Sequence, residues 1–369
     1  MYGKRSYSIS EIWVSLALLI LLASGAHAGV YSGGTGIAED PYQIGSAADW
    51  STLSLTPADW DKYFVLVSYI DFGGTSLTPV GSGSTGFRGV LDGGRHVLSN
   101  GRIELAGGED VGIFSYVGSV GKVYDLGVAY MTVIGNISVG CLAGRNEGAI
   151  DSCYASGTTS GDSSVGGLVG FNTGSISSCY AAGSTTGRVA VGGLVGQIYR
   201  TGSVLNSYAR GTVYGGGNYA GGLAGLNWGT ITSCYATGST ASATVLAGGL
   251  TAHSRGTITS SYWDMDTTGL STSVGGEGRT TTEMTHPYAA NTYTGWDFTS
   301  VWAADTEYTM NDGYPYLRST VRPDDNACGC CRTVAKDLSF KDLVSKAFGD
   351  WLLVGLSLGA LAVFSVARR

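Results

Sequence analysis

Apolar positions in the middle of the chain recur in short strings bounded by glycine. They do not form a helical stripe. Residues 165–170 read Val-Gly-Gly-Leu-Val-Gly, followed by Asn172-Thr173-Gly174 and then by Ile176-Ser177-Ser178-Cys179-Tyr180-Ala181. Variants of this unit start at Val139, Val165, Val191, Ala220 and Ala247, 26 to 29 residues apart, and a degenerate copy starts at Gly112. The Leu string predicts one short strand and the Ile-to-Ala string a second. Asn-x-Gly predicts a turn between them, because Asn and Gly accept positive φ. A Gly/Ser/Thr run makes the next turn. Helix is the weaker reading, since each interior Gly costs about 1 kcal/mol and no 3.6-residue period is present.

A unit of about 27 residues cannot bury its own apolar side, so the copies must stack. Stacking predicts three ladders: Leu142, Leu168, Leu194, Leu223 and Leu250; Ile150, Ile176, Val204, Ile231 and Ile258; and Tyr154, Tyr180, Tyr208, Tyr235 and Tyr262. The predicted fold is all-β, a β-solenoid (β-helix-like) with coils in parallel register about 4.8 Å apart. A propeller ranks second because its blades need about 40–50 residues each. Right-handed winding follows only by analogy with other parallel crossovers.

The ends differ from the middle. Lys4 and Arg5 precede an apolar run from Ile12 to Ala23 and then Ala26-His27-Ala28, the pattern of a signal peptide cleaved after Ala28. Residues 29–110 hold more charge, Trp and Phe and are read as early coils with an N-terminal cap. The repeat solenoid spans 111–262. Residues 263–318 lose the repeat, gain Trp263, Trp296 and Trp302, and are read as a C-terminal cap. A linker or stalk follows at 319–350. The apolar run 351–367 then precedes Arg368-Arg369. It predicts one C-terminal transmembrane helix with the basic pair inside and the repeats outside.

These units resemble the GLUG-motif repeat of bacterial surface proteins, adhesins and the non-catalytic parts of some secreted IgA-cleaving peptidases. The flanks at Tyr31–Tyr42, Phe87–Leu98, Ser261–Asp264, Gly295–Phe298 and Asn311–Leu317 are similar to those around such repeats, so the resemblance covers most of 31–318. It implies an architecture and defines no chemistry. The apolar C-terminus resembles the sorting signals of bacterial surface proteins. Cys328, Cys330 and Cys331 loosely resemble the processing cysteines of some of those families, although about twenty residues separate them from the helix.

Composition narrows the function. Charged residues make up 13% of the chain and the net charge is −7, with Gly at 60 of 369 residues. A hydrophobic share of 43% and 22 Tyr argue for a packed core and against disorder. Along the sequence Lys and Arg form no patch or stripe outside the N-terminus and the C-terminal tail, so nucleic acid is not an expected partner. From Ser163 to Trp263 there is no Asp or Glu, so acid–base catalysis by paired carboxylates is excluded within those repeats. A carboxylate site would have to use the caps, the first repeat or the link after it. His27, His96, His253 and His286 are widely spaced and predict no zinc site. Asp264 and Asp266 are the best cation candidate, for Ca²⁺, set against a solvated cap loop. No cofactor is expected.

Cys153, Cys179 and Cys234 share one ladder position, which Ser207 and Ser261 fill elsewhere. A Cys153–Cys179 disulfide is conceivable in an exported protein. A small buried hydrophobe is the preferred role, for Cys141 too. The expected function is an exported, membrane-tethered surface scaffold or adhesion module without catalysis, whose partner is an unidentified glycan or protein. Tyr199, Tyr214, Tyr219 and Trp228 are the candidate contact residues, set against plain turn or core packing. A carbohydrate-active lyase or hydrolase and a passive spacer are the alternatives.

Overall fold

The structure, a computed structural model, describes residues 29–243 and 246–319. The predicted signal peptide with Ala28, the three cysteines Cys328, Cys330 and Cys331, and the apolar run 351–367 lie outside the described residues. Among the described residues, no helix is long and apolar enough to cross a membrane.

Each coil has four faces. In one unit the strands are Ser163–Gly166, Val169–Asn172, Ser175–Ser177 and Tyr180–Ala181, the last continued by Ser184–Gly187. Each pairs in parallel with its counterparts in the neighbouring coils. The first and second faces are 6-stranded sheets, the third is 9-stranded and the fourth 13-stranded. Named strands run antiparallel at one place among the described residues, where Trp302–Ala303 meets Tyr316–Leu317. Continuous parallel pairing from coil to coil makes this a β-solenoid and rules out a propeller.

The ladders superpose. Ile150, Ile176, Val204, Ile231 and Ile258 are register partners in turn on the third face. The column continues below them through Val123, Leu91, Phe64 and Tyr42. The five leucines are linked by backbone hydrogen bonds of 2.9–3.0 Å and have no exposed surface. Burying each such side chain is worth about 1.5–3 kcal/mol, and no coil could bury it alone. At the N-terminal end the helix Ala47–Leu55 covers the stack. Its Trp50 ring packs edge-on against Phe72 and Phe114 at 6.5 and 6.0 Å.

The turn after the second face corrects the sequence reading. Positive φ is absent from Asn146, Asn172 and Asn227 and from Gly148, Gly174 and Gly229. The asparagines point inward and are fully buried. Asn146 Nδ2 donates to Asn172 Oδ1 at 2.8 Å, and Asn146 Oδ1 accepts the Gly148 N–H at 3.1 Å. Glycine is needed here because coils approach closely: a Cβ on Gly174 would lie 2.1 Å from the Gly148 carbonyl. Left-handed residues recur elsewhere, in one column on Ser152, Ser178, Asn206, Ser233 and Ser260, with φ of 44–51°, and in another on Ser138, Ser164, Ala190 and Tyr219.

The residue after each member of the Ser152 column explains the Cys/Ser column. The Cys153 N–H donates to Cys179 Sγ at 3.4 Å, the Cys179 N–H to Ser207 Oγ at 3.1 Å and the Cys234 N–H to Ser261 Oγ at 3.1 Å. Each side chain in turn donates to the carbonyl two residues back, as Cys179 does to Ser177 at 3.0 Å and Ser207 to Leu205 at 2.7 Å. The cysteines are buried in the core, as the hydrophobe reading expects, and they act as hydrogen-bonding links as well, which explains why Cys and Ser interchange. All four described cysteines are free thiols. Burial pushes Cys141 and Cys234 up to about 12.

Residues beyond the last coil do two jobs. Met265–Thr268 forms a short helix at the C-terminal end, capped by Asp264. From about residue 285 the chain turns back along the fourth face. Tyr235 Oη donates to the Pro315 carbonyl at 2.7 Å and Ser152 Oγ to Ser319 Oγ at 3.1 Å. This segment is a lateral strap, where the sequence pattern alone suggested an end cap.

Candidate functional site

Side chains on the fourth face alternate. Ala155, Ala181, Ala209 and Ala236 point into the solenoid, so the neighbouring tyrosines point out. Tyr154, Tyr180, Tyr208 and Tyr235 stack with ring centroids 5.0, 4.9 and 4.8 Å apart, within 8° of parallel. They form a second core with Tyr293, Trp296, Trp302 and Tyr314 of the strap. Arg210, largely enclosed there, is held by Asn311 and Asp312. The tyrosine ladder is therefore covered.

A run of half-buried aromatic side chains lies at the corner between the second and third faces. Two columns meet there. Successive backbone hydrogen bonds align Arg88, Gly118, Glu147, Thr173, Tyr199, Trp228 and Arg255 of seven coils. Beside them, on the outer side of the second face, run Tyr116, Arg145, Phe171 and Gln197, one per coil. The intervening residues, such as Asn146 and Asn172, point inward and hold the corner rigid.

These side chains touch in sequence. The Arg145 guanidinium lies 5.2 Å from the Tyr116 ring centroid and 5.8 Å from that of Phe171. Phe171 meets Tyr199 at 5.8 Å, and Tyr199 meets Trp228 at 5.1 Å. Arg200 sits 5.1 Å over Tyr199. Glu147 pairs with Arg145 and accepts the Tyr116 hydroxyl at 2.6 Å. That hydroxyl, followed by Arg145, holds the Glu147 carboxyl below its ordinary range, whereas burial and then Glu147 raise Tyr116. At the N-terminal end of the corner a depression of 590 Å³ opens between Asp61, Tyr63, Arg88 and Lys122.

Arg88, Lys122, Arg145, Arg200 and Arg255, scattered in sequence, are spread along or beside one corner, with Arg88 and Lys122 toward one end, Arg145 paired with Glu147, and Arg200 and Arg255 toward the other. Among the described residues, Arg88, Lys122, Arg200 and Arg255 make no ion pair within 4.0 Å.

Of the predicted contact residues, Tyr199 and Trp228 are brought together here. Tyr214 lies on the fourth face, 48% exposed, and Tyr219 stands at another corner with its ring 5.5 Å from His253. Tyr116, Arg145 and Phe171 were missed. The available signal was their shared place just before the inward residue of each second-face strand.

Asp264 is fully buried. Its Oδ1 accepts the N–H groups of Asp266 and Thr267 at 2.8 and 3.0 Å, and its Oδ2 accepts the Tyr314 hydroxyl at 2.5 Å. Asp266 accepts the Thr281 N–H at 2.9 Å. Both carboxylates are engaged by the end of the solenoid and the strap. Among the described residues, no group of three or more His, Cys, Asp or Glu is placed to hold a metal ion.

Stacked parallel coils with buried ladders define a β-solenoid. A solved structure described as a candidate immunoglobulin A1 protease from Bacteroides ovatus has the same fold, with a TM-score of 0.60 at 20% identity over 79% of this chain and 96% of that one. Three stretches of the repeats, residues 161–186, 187–214 and 216–242, match the family described as "The GLUG motif". Related sequences include Halomucin of Haloquadratum walsbyi, 37% identical over 202 residues, which is 52% of this chain. A candidate Gly-rich membrane protein of Evansella cellulosilytica is 34% identical over 135 residues, 34% of this chain. The matched stretches span 2% and 16% of those relatives' own lengths.

Proposed function

We propose that this protein is an exported, membrane-tethered scaffold of the cell surface that presents its solenoid outward for adhesion and carries out no catalysis. The observation that carries the reading is the self-sufficiency of the body. Its buried asparagines and its Cys/Ser column are engaged in coil-to-coil links, and its tyrosine ladder is covered by the strap. The surface we assign to a partner is the half-buried aromatic corner around Tyr199 and Trp228. Export is supported by the apolar run ending at Ala26-His27-Ala28 and tethering by the apolar run 351–367. A relative named as a membrane protein agrees with both.

Two measurements test this. Cell fractionation with protease shaving must release the repeats from intact cells; repeats confined to the cytoplasm would refute export. A glycan array with a cell-binding assay must find a ligand; a silent result in both would leave a passive spacer.

One observation favours the alternative of a carbohydrate-active lyase or hydrolase. Burial, with Asp92 and Asp151 nearby, raises the Asp125 carboxyl, against the lowering effect of Arg95. Turnover of pectin, alginate or host glycans that disappears in Asp125→Asn would establish that activity and overturn the scaffold reading.

A further inference from the structure

The corner between the second and third faces combines two features that the rest of the surface keeps apart. It has a run of half-buried aromatic rings in mutual contact, and its cations outnumber its acids: Glu147 pairs with Arg145 and Asp61 on the depression pairs with Lys62, while Arg88, Lys122, Arg200 and Arg255 make no ion pair among the described residues. The contrast with the whole molecule is informative, because the chain carries a net charge of −7. From Ser163 to Trp263 there is no acidic residue at all, so nothing within these coils neutralises Arg200 or Arg255. Arg188 and Arg210 of the same coils find their carboxylates elsewhere, in Asp162 and Asp312. At the other end of the corner Arg88 and Lys122 border the depression.

The rings are fixed in place by the ladder beneath them. Consecutive coils lie about 4.8 Å apart, so the corner from Arg88 to Arg255 extends about 29 Å over six steps. A pyranose ring is close to one such step in length. A sugar chain lying along the solenoid axis would present successive apolar ring faces to Tyr116, Phe171, Tyr199 and Trp228. Its acidic substituents would then fall beside Arg88, Lys122, Arg200 and Arg255.

We infer that this corner is a linear binding track for an acidic polysaccharide, with Tyr199 and Trp228 as the stacking platform and Arg88, Lys122, Arg200 and Arg255 as the charge partners. The inference rests on the adhesion reading and specifies its ligand class. Uronic acid chains fit better than single-stranded nucleic acid. Nucleic-acid strands are held by a cationic groove that tracks the backbone, whereas the unpaired cations here stand at the two ends of the aromatic run, and the rings between them offer apolar faces to pyranoses.

The test uses the full chain and titrates it with polygalacturonate, alginate, neutral xylan and oligothymidylate. Polygalacturonate or alginate is expected to bind more tightly than xylan, with an affinity that falls as salt rises. Trp228→Ala should weaken binding by about tenfold, as the loss of one stacking contact does. Tyr199 and Trp228 also pack on each other, so the decisive variant is the exposed pair Arg200→Gln with Arg255→Gln. It should retain the wild-type melting temperature and lose the preference for the acidic chains. Arg188→Gln, off the track, should bind like wild type. Equal binding of xylan, wild-type binding by the Arg200/Arg255 pair, tighter binding of oligothymidylate, or no binding of either acidic chain would each overturn the track. If glycan-array or cell binding persists unchanged in the Arg200/Arg255 pair and in Trp228→Ala, the track fails while the adhesion reading stands. If array and cell binding are both silent, the two fail together.

Discussion

Asn172 offers the sharpest test of how the coils hold together. It has no exposed surface. Its Oδ1 accepts from Asn146 Nδ2 at 2.8 Å, and its Nδ2 donates to the carbonyls of Gly174 at 3.1 Å and Ser203 at 3.4 Å. The next coil has Ile198 in this column, and the coil before Asn146 has Val117. The corner therefore accepts a branched aliphatic side chain. Asn172→Ile nevertheless strips Asn146 of its shortest acceptor and leaves Nδ2 with the Ser175 carbonyl at 3.3 Å. A buried polar group left unsatisfied costs about 1–3 kcal/mol and each ordinary bond lost about 0.5–1.5 kcal/mol. The single substitution should destabilise by about 2–4 kcal/mol. Adding Asn146→Val removes the orphaned donor, so the pair should cost less than the sum of its parts by about 1–2 kcal/mol. Urea unfolding of the four proteins gives the cycle if their slopes agree, and amide exchange in this coil reports local opening. Additive costs, or an Asn172→Ile protein as stable as wild type, would refute the linked-asparagine account.

Three further outcomes are expected. Gly174→Ala, whose Cβ would press on the Gly148 carbonyl at 2.1 Å, should lower stability by about 1–3 kcal/mol in the same urea assay. Cys179→Ser should be nearly neutral because Ser207 and Ser261 already make the same links, whereas Cys179→Val orphans the Cys153 N–H and should cost about 1–3 kcal/mol, read by thermal melting. The strap should loosen in acid. Burial raises the Asp305 carboxyl, but four backbone N–H groups, from Gly313, Asn311, Met310 and Thr309, outweigh it and hold the group low. That stabilisation is present above the ordinary carboxylate range, near pH 4, and is lost as pH falls through the depressed folded value. Trp296 and Trp302 fluorescence should report the change, and Asp305→Asn should flatten it.

Sequence alone determined the period, the parallel stacking and the three ladders. Like residues recurring at a constant interval can be buried together only by lying one above another. It also singled out Tyr199, Tyr214, Tyr219 and Trp228 as turn aromatics, of which the fold brings Tyr199 and Trp228 together. Tertiary structure decided what neighbours those residues have. The strap reaches the tyrosine ladder from far along the chain, so nothing near Tyr208 or Tyr235 signals that it is covered. The cationic corner draws Arg88 and Arg255 from opposite ends of the repeats, and a linear charge pattern carries no trace of that column. The reason for the turn glycines was equally hidden. Local chemistry points to backbone torsion, whereas the cause is the carbonyl of the adjacent coil, and that contact exists only after the coils have stacked.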